Sequence, residues 1–200
     1  MWPKIAMGWI KRCGIWLSRI GHAQGFGIQS PHDFRFVREV IGEKWPYYSY
    51  EVIGRRCLGA GRRTERLARL YFRIANYAQP PCIVSLLPDS DLWDTCLHMG
   101  CRKARRVTVA DSAAFSSLPL EDRCLIWVDA GHIDSLLPRL HEISSDSVMI
   151  VHGISRDEVT ANHWRQLAQR SEVRLVFDLY HCGILFFDKN RYKQYYTINY

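Results

Sequence analysis

Directly after Pro80-Pro81, residues 82–87 run as one short apolar stretch, Cys82-Ile83-Val84-Ser85-Leu86-Leu87. A run this short, without polar alternation, is what a central parallel strand covered on both faces looks like. Three more strand-like runs follow at residues 106–111, 124–129 and 147–152. Helical stretches alternate with them: residues 91–104, and residues 157–170 with Val159, Trp164 and Leu167 as inward positions. The chain then changes character, with strand-like residues 173–179, 183–187 and 194–199 in quick succession. Tyr180-His181-Cys182-Gly183 is short enough to make the first two of these antiparallel. The pattern predicts an α/β fold whose mostly parallel sheet closes in an antiparallel C-terminal hairpin.

Before Pro81 the periodicity is helical. Ile5, Trp9, Cys13 and Leu17 recur every four residues among Lys4, Lys11, Arg12 and Arg19, the pattern of a short basic amphipathic helix. Residues 1–19 of this kind either dock on the domain or make peripheral contact with a membrane surface. Gly25-Phe26-Gly27-Ile28-Gln29-Ser30-Pro31 reads as a turn, with Ser30 as N-cap and Pro31 opening a helix over residues 31–44 that buries Phe34, Val37 and Ile41. A stronger helix over residues 62–77 carries an apolar stripe, Leu67, Leu70, Tyr71 and Ile74, beside a second stripe of Arg62, Arg66, Arg69 and Arg73. Four arginines on one face suit either phosphate binding or plain solvation. The reading divides the chain into a basic helical N-terminal segment, residues 1–80, packing on an α/β core, residues 81–200.

Charge follows the same division. The formal net charge of +7 comes from +9 over residues 1–75 and −2 over residues 76–200. The basic half suits an acidic partner, although no dedicated nucleic-acid motif is present. No stretch is long and apolar enough for a transmembrane segment, and charge breaks the N-terminus before a signal sequence forms. The seven cysteines include no C-x-x-C pair, and several stand in apolar surroundings. Both features lead to the expectation of buried thiols in a reducing, cytoplasmic location.

In parallel α/β sheets ligands gather at the carboxyl ends of the strands. The residues there are 85–91 after the first strand, Asp111 after the second, Asp129 to His132 after the third and His152 after the fourth.

The Gly25-to-Pro31 turn, Tyr47-Tyr48, Leu70-Tyr71-Phe72-Arg73-Ile74-Ala75-Asn76 and Val128-Asp129-Ala130-Gly131-His132 together resemble one group. So do the closing Asp178-Leu179-Tyr180, Gly183-Ile184-Leu185-Phe186-Phe187 and Tyr195-Tyr196-Thr197-Ile198. The group is the small bacterial class I S-adenosylmethionine-dependent methyltransferase-like proteins. The resemblance implies a Rossmann-like methyltransferase sheet, here reduced and carrying an N-terminal helical extension. It also implies S-adenosylmethionine as cofactor. By the family pattern Asp111 binds the ribose, the turn with Ser85, Leu87, Asp89 and Asp91 faces the methionine moiety, and Asp129 with His132 orients the methyl acceptor.

The departures fall where the chemistry would be. The family ends the first strand with an acid and a glycine-rich turn. Here the acid's place is Ser85 and the glycines' places are Leu87 and Asp91, whose side chains obstruct close backbone approach. The family's acidic pair after the next strand is His152-Gly153, which removes a hard-cation site, so no metal is expected. Only twelve residues separate Asp111 from Cys124, an interval that otherwise holds a helix and a further strand. Two readings stand side by side. One is a methyltransferase acting on an unknown acceptor; the other is a catalytically degenerate binding module working through its basic N-terminal half.

Overall fold

A computed structural model of the chain describes residue 14, residues 27–86 and 91–109, residues 115, 118 and 120, and residues 122–200. The helix expected around Ile5 to Leu17 lies outside the described residues, apart from Gly14. The first described helix, α1 (Pro31–Phe36), starts as its sequence demands: the Ser30 side chain accepts a hydrogen bond from the Asp33 amide, and Pro31 opens the first turn. It continues into a π-helical turn, Val37–Ile41, and stops at Gly42. The buried stripe is Asp33, Phe36, Val37, Val40 and Ile41. Phe34, expected inside, is instead 37% exposed. It stands one residue, a turn of ~100°, away from that stripe.

Helix α2 (Ser49–Arg56) has only Ile53 buried, and α3 (Arg62–Ala78) buries Leu67, Leu70, Tyr71 and Ile74 as the periodicity requires. Gln79, in the left-handed conformation, caps α3 and turns the chain toward β1 (Cys82–Leu86). Then come α4 (Asp91–Gly100), β2 (Arg105–Val109), β3 (Cys124–Asp129), two 3-10 turns (Ala130–Ser135 and Leu137–Glu142), and β4 (Val148–His152). The chain closes with α5 (Glu158–Gln169), β5 (Leu175–Asp178), β6 (Cys182–Phe186) and β7 (Gln194–Thr197). Val159, expected inward, is 60% exposed, because the buried face of α5 is Thr160, Trp164, Leu167 and Ala168.

One seven-stranded sheet has the order β2-β1-β3-β4-β6-β5-β7. Strands β1 to β4 are parallel, and β6 runs antiparallel to both β4 and β5. The expected hairpin is therefore present. The last strand adds a parallel edge beside β5. Between Val109 and Cys124 the described residues contain no strand, so β2 is an edge and β1 lies directly between β2 and β3. No described helix is long and apolar enough to cross a membrane.

The strand pleat sorts side chains into two cores. On one face Ile83, Leu125, Trp127, Ile150, Phe177 and Ile184 meet α1, α3 and α4. On the other, Val84, Ile126, Val128, Met149, Val151 and Leu185 meet α5 and the 3-10 turns. Both cores need close approach at one glycine. A Cβ on Gly100 would strike the Phe72 carbonyl of α3 and come within 2.8 Å of Ala75 Cβ, and a Cβ on Gly183 would strike the Trp164 indole.

Candidate active site at the carboxyl ends of the parallel strands

The chain leaves β1 toward one edge, forms β2, and returns on the other side as β3, so β1 and β3 flank the point where strand order reverses. In doubly wound sheets that reversal opens a crevice above the strand ends. Ser85 and Asp129 stand at its two sides.

Ser85 is fully buried, and its hydroxyl donates to Asp94 Oδ1 at 2.8 Å. Asp94, from α4 and itself buried, is also paired with Arg106 of β2. Arg106 Nη2 reaches on to Asp91 Oδ1 at 3.0 Å, and Arg56 lies 3.6 Å from the other oxygen of Asp91. The negative charge missing from position 85 is thus supplied by α4 and balanced by an arginine. The Asp94 bond, first among its causes, raises the Arg106 pKa further above its ordinary value.

Asp129 ends β3 and caps the following 3-10 turn, with Oδ1 accepting from the Gly131 amide at 2.8 Å. Its Oδ2 accepts from Arg156 Nη2 at 2.6 Å. The carboxylate is buried while the arginine is half exposed. His132 lies in the same turn but points to solvent. The structure therefore brings Ser85, Asp91 and Asp129 to the strand ends and sets His132 at the rim. Leu87, Asp89 and Asp111 lie outside the described residues.

Sequence reasoning placed His152 at the strand ends but gave no role in the site to the aromatic rings packed around it. Trp127 of β3 stacks on Trp93 of α4, and His152 at the end of β4 packs 4.5 Å from Trp93, centroid to centroid. Tyr71, from α3, places its hydroxyl 2.7 Å from His152 Nδ1. Burial pushes the Tyr71 phenol well above its ordinary range and the Cys182 thiol up to about 12. Both keep their protons at neutral pH. The Trp127 indole N–H is buried and meets no acceptor among the described residues. Tyr71 carried a signal as an apolar-stripe residue with a hydroxyl, while Trp93 carried none.

No family model matches the chain, and no curated protein does. Among solved structures, a methyltransferase from Geobacter sulfurreducens is similar at 11% identity, covering 78% of this chain and 97% of its own, with a TM-score of 0.51. An SAH-bound methyltransferase from Podospora anserina, PaMTH1, aligns at 12% identity over 84% of this chain and 97% of its own, with a TM-score of 0.49. The sheet order, the helices on both faces and the Geobacter likeness define a class I methyltransferase-like, Rossmann-like fold.

Proposed function

We propose that the protein is a class I methyltransferase that binds S-adenosylmethionine above the β1–β3 reversal and transfers its methyl group to an acceptor held beside Asp129. The observation that carries this reading is the topology itself, with β1, which holds Ser85, and β3, which ends in Asp129, on either side of the strand-order reversal. One feature suits the cofactor: His152 at the end of β4 and the Trp93 ring beside it set aromatic surface at the strand ends, which favours a cationic sulfonium. Asp111 would bind the ribose hydroxyls, residues 85–91 would face the methionine moiety, and Asp129 with His132 would orient the acceptor.

When bound, the cofactor supplies an activated methyl group for direct displacement. The protein's part in such a displacement is to align donor and nucleophile and to exclude water. Arg156 and the Gly131 amide fix Asp129, and the Tyr71 hydroxyl fixes the His152 ring, so both sides of the crevice are pre-set. One arrangement supports the second reading, a binding module without catalysis: Asp94 and Asp129 already have arginine partners.

Calorimetric titration with S-adenosylmethionine and S-adenosylhomocysteine, on wild type and Asp111→Ala, tests the proposal. The expected result is micromolar binding weakened about tenfold or more by the substitution, the loss of one charge-assisted hydrogen-bonding group. Absence of binding up to millimolar cofactor overturns it in favour of the second reading.

A further inference from the structure

On the α3 side of the sheet, α1 with its π turn, the following residues 42–45, α3 and residues 198–200 after β7 enclose an open groove of about 1330 Å³. Its walls carry Arg35, Arg38, Lys44, Arg66, Arg69 and Arg73, against two carboxylate side chains. Both carboxylates are engaged locally: Glu43 accepts from the amides of Lys44 and Trp45 at 2.6 and 2.7 Å, and Glu39 lies 4.0 Å from Arg35.

Aromatic rings back three of the arginines. Arg66 lies over the Tyr200 ring at 4.3 Å, Arg69 over Tyr50 at 4.8 Å and Arg38 over Phe34 at 5.8 Å. A guanidinium lying on a ring keeps its N–H edge available for bidentate contact with phosphate. Arg69 is the exception, since it already pairs with Glu65, although its buried Nε finds no acceptor among the described residues. At the rim Trp45 is 73% exposed, a flat surface with nothing stacked on it among the described rings. Arg73 is buried and spends its guanidinium on Val40, Ile41, Tyr50 and Tyr200, so the cations left to the groove are Arg35 and Arg38 on one wall, Lys44 beyond them and Arg66 on another, a spread wider than a single phosphate needs.

We propose that this groove binds single-stranded nucleic acid, with Arg35, Arg38, Lys44 and Arg66 holding backbone phosphates and Trp45 stacking an unpaired base. Cations beside an exposed indole in a concavity suit a strand with exposed bases better than a duplex, whose bases are already stacked. A flat anionic membrane would meet only the rim. The proposal does not rest on the cofactor reading, and its test needs no cofactor.

The measurement is fluorescence anisotropy of labelled oligouridylate and oligothymidylate with the full chain over a series of salt concentrations. Expected are binding that weakens with salt at a log–log slope steeper than about −2, several phosphates at ~0.7 each, and a Trp45→Ala variant weaker by about tenfold. Arg38→Glu and Arg66→Glu should together weaken binding at least tenfold with the melting temperature unchanged. A preference between the two oligonucleotides separates RNA from DNA as the natural strand. The proposal falls if neither binds up to about 100 μM protein, the weak end of non-specific affinity. It also falls if the charge reversals leave affinity unaltered, or if the protein sediments with anionic phosphatidylglycerol vesicles while ignoring both oligonucleotides.

Discussion

Arg73 shows how far a residue's chemistry depends on where its helix packs. In the sequence it is the last member of an arginine stripe, no different from Arg62. In the fold it is buried and donates to the Val40 carbonyl at 2.6 Å, the Ile41 carbonyl at 3.0 Å, the Tyr50 hydroxyl at 2.9 Å and the Tyr200 hydroxyl at 3.3 Å. The two carbonyls belong to the π turn, where the helix ends and its oxygens need donors. One guanidinium thereby joins α1, α2, α3 and the last residue of the chain. Arg73→Ala should destabilise the fold by on the order of 3 kcal/mol, since charge-assisted bonds are lost and buried acceptors are left bare. Arg73→Lys, with a single ammonium for four partners, should recover only part of that loss; urea unfolding of both variants measures it. Periodicity placed Arg73 on the stripe, but nothing local announced that three other segments converge there. The Tyr71–His152 contact escaped notice for the same reason, being a pairing of residues 81 positions apart.

At the scale of elements, what could be read was whatever shows as hydrophobic pattern. Strands β1, β3 and β4 announce themselves as apolar runs because both faces are covered. Helix α3 announces itself through four buried positions at helical spacing. Helix α2 escaped because it buries Ile53 alone and rests on local bonds such as Glu51 with Arg55. Helix α4 was read four residues too long. Gly100 ends it, and the following Cys101 and Ala104 turn into β2. The seam between α3 and α4 depends on that glycine. Ala at position 100 gains helix propensity of at most ~1 kcal/mol but meets the Phe72 carbonyl, so Gly100→Ala should cost about 1–3 kcal/mol. Gly54 in α2 is the contrasting case: its Cβ would meet only Glu65 Oε1 at 3.4 Å. Gly54→Ala should leave stability equal or up to ~1 kcal/mol higher. Thermal denaturation of the two variants side by side separates the effects.

For the whole molecule, the parallel sheet with its closing hairpin was legible, whereas the placement of β7 was not. Nothing in Gln194–Thr197 tells a strand that it will lie parallel to β5 at the far edge, since that depends on how the connection after β6 crosses. The candidate site was legible as strand ends and illegible as chemistry, because the partners of Ser85 and Asp129 come from α4, β2 and the loop after β4. Burial also sets how the fold responds to alkali. The Cys96 and Cys182 thiols are each pushed up to about 12 from an ordinary 9.0. Above pH 9 the unfolded chain loses these protons while the folded chain keeps them, so stability falls as pH rises from 9 toward 12. Near pH 10 the loss should be about 1 kcal/mol per thiol. Urea midpoints at neutral and alkaline pH measure it, and Cys182→Ala should flatten the dependence.

Helix α1 rests on the end of the chain. Phe36 packs 5.2 Å from both Phe177 and Phe186, and buried Asp33 meets Arg191 and the Tyr196 hydroxyl. During synthesis α1 leaves the ribosome long before β5, β6 and β7 exist. Its π turn can settle early on α3, through Arg73 and Tyr77, but the other side of Phe36 and the Asp33 carboxylate must wait for almost the entire chain to be translated. The first described helix to be made is thus among the last to finish docking, and until then a buried carboxylate and half of a core aromatic stay open to solvent on the nascent polypeptide.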